Sequence, residues 1–469
     1  MSSIFGSLVA PMPLLPVSDL GPVHFIAAGG AGMAPIAELY VGRDVEVSGS
    51  DRVDSANLTR LRELGVVTHV GHAADQLGAA GTVVVSSAIG EDNPEVVAAR
   101  ERGVRLWHRS TALAALMQPT DAAPERIGIA VGGTHGKTTT SGMLAHIFTE
   151  TGADPGFVIG APLATNGRAA ADGVGPFVVE ADESDGSFRQ YPARIALVTN
   201  VEADHLDNWE TTQAYADGFV EFASAADIAI INVLDPGGAA LAERLDAAVR
   251  VGDSGEWTIE DVTAEGFGST AWLTGPEGRY RLSLQVPGVH NVHNAAMAVA
   301  AAAEAGVAAE DAVDTLSGFR STARRFTPHG VVNGVSVFDD YAHHPTEIDA
   351  TLRAARAGVG EGRVLACFQP HLYSRTRDFA REFGEALALA DRAFITDVYG
   401  AREDPMPGVD ADLLVTTCRD AGGAADHVPA ENLPEVASAW AEPGDIVLTL
   451  GAGDITHIAP RIVEALHDR

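Results

Sequence analysis

The sequence predicts a three-domain α/β protein built on mostly parallel sheets. Three observations lead there. Short apolar runs of strand length alternate with alanine-rich helical stretches, the rhythm of parallel strands joined by helices. Polar or glycine-rich turns follow the carboxyl ends of those runs, where open α/β sheets bind their ligands. The chain has 469 residues and 46% hydrophobic content. That length suits roughly two to four domains, and that composition supplies their cores.

The first block, 1–124, opens on "VHFIAA" (23–28), a buried strand, followed by "GGAGMAPIAEL", a glycine turn into a helix. "VEVSGSD" (45–51) and "TVVVSSA" (82–88) are further strands, which makes the block Rossmann-like. The pattern weakens at "MQPTDAAPE" (117–125), a linker. The second block, 125–327, starts with the strand "IGIAV" (127–131), the loop "GGTHGKTTT" (132–140) and a helix from Lys137 to about Thr151. Strand, glycine loop and helix in that order make it a P-loop-type, phosphate-binding domain. "FVVEAD" (177–182), "IALVTN" (195–200) and "IAIINV" (228–233) are buried strands. Residues 250–286 hold shorter polar strands of a small antiparallel patch, and "NVHNAAMAVAAAAEAG" (291–306) is a helix. The third block, 328–469, has strands at "VSVFDDY" (335–341), "RVLACFQP" (363–370), "RAFITDVY" (392–399) and "DIVLTLGAGDI" (445–455), and is again Rossmann-like.

Composition narrows the function. A net charge of −33 leaves no basic face for nucleic acid or an anionic membrane. A nucleotide would be repelled by the overall field, so positive potential must be local: a few cations, helix N-termini, bound metal. Lys137 is the only lysine, beside 30 arginines. Drift toward arginine accounts for the absence of other lysines. The survivor marks a position that needs a compact charge, which a forked guanidinium does not supply. Cys367 and Cys418 are too few for a disulfide framework and sit in apolar contexts, as reduced core residues. Residues 1–20 are apolar but carry Pro11, Pro13 and Pro16 and no basic segment, the mark of a loose tail rather than a signal peptide. No run of about 18 apolar residues predicts a transmembrane helix. These features indicate a cytoplasmic protein acting on small molecules, with no membrane insertion; a homodimer is compatible with them.

The chemistry concentrates in the turns. "GGTHGKTTT" is one residue too short for the strict P-loop template, because Val131 stands where its first glycine would be. The mechanics survive: glycines expose backbone N–H groups, the helix N-terminus adds positive potential, Lys137 reaches the outer phosphates and Thr138 can ligate Mg²⁺. In "VVEADESDGSF" (178–188), Glu180 directly follows two buried valines. A solvated acidic face is the plain alternative, but a carboxylate at that strand end suits Mg²⁺ opposite a P-loop. "TNVEADHLDNW" (199–209) puts His205 among carboxylates at the next strand end, a candidate for a second Mg²⁺ site or a substrate contact. Arg324 and Arg325 can clamp phosphate or carboxylate, and Asp339 or Asp340 can bind a ribose hydroxyl. His371, Arg375 and Arg377 suit a small carboxylate-bearing substrate, with surface ion pairs as the alternative. "AAGGAGM" with Asp51 about twenty residues on suggests a nucleotide. Pro35 stands where the dinucleotide fingerprint needs its last glycine, so NAD is less well supported.

"GGAGM", "SGSD", "VVSSAI", "GTHGKTTT", "EADESD", "TNVEADHLD", "PGVHNVHNA", "RRF", "DDYAHHPTE", "FQPHLYSRT" and "GAGDI" occur in that order between about residues 22 and 460. With them the chain resembles the Mur ligases. The resemblance implies an ATP-dependent, amide-forming enzyme of peptidoglycan synthesis. It would join L-alanine to the carboxylate of UDP-N-acetylmuramic acid through an acyl phosphate; the alternative is a relative adding a peptide to the same acceptor. It further implies that 1–124 binds the UDP-substrate, through Gly30, Ala31, Gly32, Met33, Asp51, Ser86 and Ser87. ATP falls to 125–327, with Gly133, Thr134, His135, Gly136, Lys137, Thr138, Thr139, Asn291, Asn294 and Arg325, together with Asp340. The amino acid falls to 328–469, with His371, Arg375 and Arg377. Thr138, Glu180 and His205 would hold Mg²⁺; Lys137, Glu180, His205 and His344 would be catalytic, with His344 and Asp339 as candidates for a base.

Four departures stand out. "AAGGAGM" replaces the "GIGGAGM" of many relatives. Leu372 stands where many have arginine after the "FQPH" histidine. "VYGARED" (398–404) departs from the family's segment. No lysine besides Lys137 is present to be carbamylated as a metal ligand, which predicts low sensitivity to bicarbonate. A nucleotide-binding regulatory module and an NAD-dependent oxidoreductase are the competing classes.

Overall fold

The computed structural model describes residues 4–401 and 403–469. It divides into two compact units: Met1–Ile259 with Leu273–Tyr280 and His293–Thr315, and Glu260–Trp272 with Arg281–Val292 and Leu316–Arg469. The fold is mixed α/β on three mostly parallel sheets.

The first unit holds a five-stranded parallel sheet in the order Val67–Val70, Val47–Asp51, Val23–Ile26, Thr82–Val85, Arg105–His108. Val23–Ile26 and Thr82–Val85 are buried throughout, because helices cover such a sheet on both faces. The strand order reverses between them, and the glycine turn after Ile26 opens at that switch point. The helix that follows, Ala34–Gly42, carries Pro35 in its first turn. Proline fits there because its φ is already helical and its missing N–H has no intrahelical partner to lose.

A second sheet runs Val249–Gly252, Ile228–Asn232, Ile195–Val198, Gly128–Gly132, Phe177–Glu180, Gly156–Val158, all parallel, with Ala170–Ala171 antiparallel at the edge. Helix Lys137–Glu150 is buried from Thr138 to Phe148. The stretch expected as polar strands resolves into Trp257–Glu265, Gly268–Gly275 and Gly278–Leu284. Trp257 and Thr258 pair in parallel with Val251 and Gly252. One hydrophobic cluster joins Phe25, Tyr40 and Trp107 of the first sheet region to Val179, Phe188, Phe219 and Phe222 of the second, so the two sheets share a core.

The N-terminal segment is not a loose tail. Val9 is 1% exposed, and its N–H donates to the Asp185 carbonyl at 2.8 Å. Leu8, Met12, Leu15 and Val17 pack on the shared core. The prolines preclude a helix, but by fixing φ they also reduce the entropy lost when an extended segment docks.

The second unit is built on a six-stranded sheet, Thr327–Val332, Val335–Asp340, Ile446–Leu450, Val364–Phe368, Arg392–Ile395, Ala425–His427, parallel except for the first pair. Ile348, Leu352, Phe383 and Leu414 belong to one hydrophobic cluster of this unit, Leu433, Ile458 and Ile462 to another. Cys367 and Cys418 are free and buried as expected, and burial pushes both thiols up, away from reactivity. Among the described residues, no helix is long and apolar enough to cross a membrane.

Candidate active site

The phosphate loop leaves strand Gly128–Gly132 and enters helix Lys137–Glu150 through two glycines in left-handed backbone, Gly133 at φ 129° and Gly136 at φ 81°. A Cβ on Gly133 would overlap Thr199 Oγ1, and one on Gly136 would lie 2.7 Å from Asn294 Oδ1. Only glycine fits either place. Side chains from the next strand end shape the loop. Asn200 Oδ1 accepts the His135 N–H at 2.8 Å and Asn200 Nδ2 donates to the His135 carbonyl at 3.0 Å. Thr134 Oγ1 meets the Glu202 carbonyl at 2.8 Å and Tyr215 OH at 2.9 Å. Thr139 is buried in the first helical turn.

Lys137 curls over its own loop. Its Nζ donates to the carbonyls of Gly133 at 2.6 Å and Thr134 at 3.0 Å, and pairs with Glu183 Oε2 at 2.7 Å. Burial alone would depress the ammonium, but Glu183 beside it, with Asp182 and Glu180, holds its pKa above the usual lysine value. Glu183 is 1% exposed, and burial raises its carboxyl to about 7 despite the ammonium.

The acidic stretch that follows strand Phe177–Glu180 is no solvated face. Each carboxylate turns to a different partner. Glu180 accepts from Thr138 Oγ1 at 3.0 Å and from the Gly160 N–H at 2.8 Å. Asp182 pairs with Arg109 at 2.5 Å, and that guanidinium holds its carboxyl below the ordinary range. Glu183 takes Lys137 and lies 3.9 Å from His205 Nε2. Asp185 accepts from Ser87 Oγ and approaches His108 Nε2 at 3.6 Å. Burial lowers the His108 pKa to about 4, against the pull of Asp185. His205 itself sits in left-handed backbone at φ 54°, with Asp204 Oδ2 at 3.6 Å.

At the first sheet, Asp51 Oδ2 accepts the Gly29 N–H at 2.9 Å, and Asn57 Nδ2 donates to the Gly29 carbonyl at 2.9 Å, bracing the turn that presents Gly30, Ala31 and Gly32. Met33 is buried as the residue capping the next helix. A Cβ on Gly32 would lie 2.6 Å from Arg109 Nη1. Arg109 thus lies against the glycine turn and pairs with Asp182, whose charge also acts on Lys137. Ser86 opens the turn after Thr82–Val85 with its carbonyl to Ile89 N–H at 3.1 Å, while Ser87 is tied to Asp185 and His108.

The sequence-selected residues of the second unit form their own groups. Asp340 Oδ2 and Oδ1 accept the N–H groups of Phe326 and Ala342, each at 2.8 Å, and burial raises its carboxyl to about 6. Arg324 donates to the Gly451 carbonyl at 2.6 Å, and Arg325 stacks over Tyr341 at 5.3 Å, with Glu347 at 3.9 Å. His344 is 2% exposed. It caps helix Pro345–Val359 through the Thr346 N–H, its ring edge on Phe379. That arrangement gives its Nδ1 a cap's role. Asp339, the other candidate base, accepts from Thr449 at 2.7 Å and Thr456 at 2.8 Å. His371 stacks on Tyr399 at 5.7 Å, Arg375 is buried, and Arg377 pairs with neighbouring Asp378 at 2.7 Å in the open. Asn291 donates to the Pro287 carbonyl at 2.7 Å. Arg402 of "VYGARED" lies outside the described residues.

The sequence places Asp182, Glu183 and Asp185 beside Glu180 past the strand end but singles out only Glu180 and His205 for a role, and it does not point to Arg109. The signal for the three carboxylates was their spacing within "EADESD", which sends successive side chains in different directions; for Arg109 there was none.

Three family profiles cover most of the chain: "Mur ligase family, catalytic domain" at residues 22–120, "Mur ligase middle domain" at 131–302 and "Mur ligase, glutamate ligase domain" at 324–453. The chain belongs to the Mur ligase family. This Mur ligase is 52% identical to the UDP-N-acetylmuramate–L-alanine ligase of Cutibacterium acnes, over 99% of this chain and 100% of that one. It is 47% identical to the protein of the same name from Thermobifida fusca, over 98% and 100%. Among solved structures, UDP-N-acetylmuramate–alanine ligase MurC of Thermotoga maritima matches with a TM-score of 0.79 at 28% identity, covering 95% of this chain and 99% of that one. A murein peptide ligase from Psychrobacter arcticus matches this Mur ligase at 0.68 and 26%, covering 96% and 99%.

Proposed function

We propose that this Mur ligase joins L-alanine to the lactyl carboxylate of UDP-N-acetylmuramic acid with ATP as the energy source. The near full-length similarity to relatives named for that reaction carries the reading. The peptide-adding alternative is weaker, because the structural match to the peptide ligase is the poorer of the two.

The chemistry suits the residues. A carboxylate is a poor electrophile, so one of its oxygens attacks the γ-phosphorus of ATP and ADP leaves. The neutral amine of alanine then attacks the acyl carbon and phosphate leaves. Lys137, held by the Gly133 and Thr134 carbonyls of the loop, is positioned to neutralise phosphate charge during the first step. Thr138 and Glu180 form an oxygen-donor pair at a helix N-terminus, which fits Mg²⁺; His205 with Glu183 would form a second position. Bound there, Mg²⁺ would offset the negative charge of the phosphates. We assign nucleotide-sugar binding to 1–124, through the turn at Gly30–Met33 with Asp51, Ser86 and Ser87. ATP binding falls to 125–327, and alanine binding to 328–469 with His371 and Arg375. With ATP and a nucleotide sugar as substrates, the enzyme would act in the cytoplasm.

The test is phosphate release from ATP and UDP-N-acetylmuramic acid with L-alanine, glycine, L-serine and the recycled tripeptide in parallel. L-Alanine should give the highest kcat/KM. Release that ignores the amino acid, or prefers the tripeptide, would sink the assignment.

A further inference from the structure

The turn at 182–190 carries Asp182, Glu183 and Asp185, yet its only regular element is the short helix Ser187–Gln190. It is held from two sides. On one, Trp209 Nε1 donates to the Glu183 carbonyl at 2.9 Å and Asn208 Nδ2 to the Ser184 carbonyl at 3.0 Å. The other side is the N-terminal segment. The Val9 N–H donates to the Asp185 carbonyl at 2.8 Å. The Gln190 amide brackets Met12, accepting its N–H at 2.5 Å and donating to its carbonyl at 3.0 Å. Arg189 Nη2 reaches the Val9 carbonyl at 3.4 Å. Leu8 lies on Gly186, where a Cβ would come within 3.2 Å of its Cδ2. The Phe5 ring meets His108 edge-on at 5.2 Å, over the imidazole that touches Ser87 Oγ at 3.0 Å.

We infer that residues 5–12 are a clasp that positions the 182–190 turn, and through it both the Lys137 partner Glu183 and the Ser87 partner Asp185. The residues of the clasp act through the 182–190 turn and His108, so they are positioning residues. Without it, the Asp185 carbonyl loses its donor, the Gln190 amide loses both bonds to Met12, and water reaches His108. The turn then keeps Trp209, Asn208 and the Phe188 ring, the ion pairs of Arg109, Lys137 and Arg189, and the Ser87 and Thr111 hydroxyls, but no backbone partner on its N-terminal side. Two sites are set by one extended strip of backbone, so its loss disturbs them together. The functional part of the inference rests on the ligase reading above.

The experiment compares the full chain with one lacking residues 1–12 and with the full-length double variant Phe5→Ala/Leu8→Ala. Amide exchange by mass spectrometry needs no substrate. In both variants, peptides covering 182–190 and 86–87 should exchange about tenfold faster, the scale of one lost buried hydrogen bond, while peptides covering 137–150 keep their protection. In phosphate release, KM for UDP-N-acetylmuramic acid should rise about tenfold as kcat falls. Unchanged exchange at 182–190 overturns the clasp whatever the reaction proves to be. So does a fall in kcat that merely tracks a loss of active protein, with KM unmoved. If the shortened chain does not fold, the double variant carries the same two readouts.

Discussion

Replacing Glu183 by glutamine should remove a pH-dependent penalty from the fold and cripple the enzyme. The carboxyl is buried, with its pKa raised from 4.5 to about 7 even though Lys137 lies beside it. Between those values the folded chain keeps a proton that the unfolded chain releases. Stability therefore falls as pH rises through the window, and the penalty is complete above about 7. At 1.36 kcal/mol per pH unit the full gap is worth about 3 kcal/mol. An amide of the same shape carries no such penalty. Urea unfolding of metal-free, nucleotide-free protein at pH 5.5 and pH 8 reads it, with the lower pH clear of the range where many carboxylates protonate. Tryptophan emission is a suitable signal because Trp209 donates to the Glu183 carbonyl. Wild type should lose about 2 kcal/mol more than Glu183→Gln between the two values, the part of the window that lies above pH 5.5. Meanwhile kcat should fall by about 10²–10³, the usual effect of removing one oriented electrostatic group. Parallel shifts of the two proteins between pH 5.5 and 8 would refute the reasoning, because they would mean the carboxylate is not strained by its burial.

Other outcomes follow from the same geometry. Lys137→Ala should lower kcat/KM about a thousandfold, and Lys137→Arg should rescue little of it, since the loop carbonyls at 2.6 and 3.0 Å are spaced for a point charge; steady-state phosphate release decides. Gly133→Ala should cost more than about 2 kcal/mol and abolish nucleotide binding, because φ 129° and Thr199 Oγ1 both exclude a Cβ; calorimetry with an ATP analogue reads both. Arg109→Gln should raise KM for the nucleotide sugar about tenfold with KM for ATP little changed, and adding Asp182→Asn should restore stability by removing the unpaired carboxylate. Depleting bicarbonate should leave the rate unchanged, since no lysine besides Lys137 is present to be carbamylated.

The central strands were legible in the sequence because a strand covered on both faces is apolar along its length, as in "TVVV" and "IALV". The edges were not. Val67–Val70 has two valines more than half exposed, and Thr327–Val332 contains Pro328, which only an edge tolerates. At the site, the meeting of Thr138 with Glu180 follows from a strand, a glycine loop and a second strand end in register. Glu183 was hidden because an acidic run in an acid-rich chain looks solvated, and only the turn at Gly186 shows where each carboxylate points. The N-terminal segment was illegible for a similar reason. Its prolines exclude regular structure, but docking through Val9 and Gln190 depends on partners some 180 residues away.

The solitary lysine also makes the chain its own reporter. Apart from the α-amino group, Lys137 is the only amine that an acylating reagent could modify, and a lysine-specific protease could cut at one bond alone, leaving fragments 1–137 and 138–469. Its side chain is 14% exposed and tied to Glu183, so cleavage or labelling must wait for the loop to open. The rate of a single cut, read as two bands on a gel, would therefore time the opening of the phosphate loop in the unlabelled, unmutated protein.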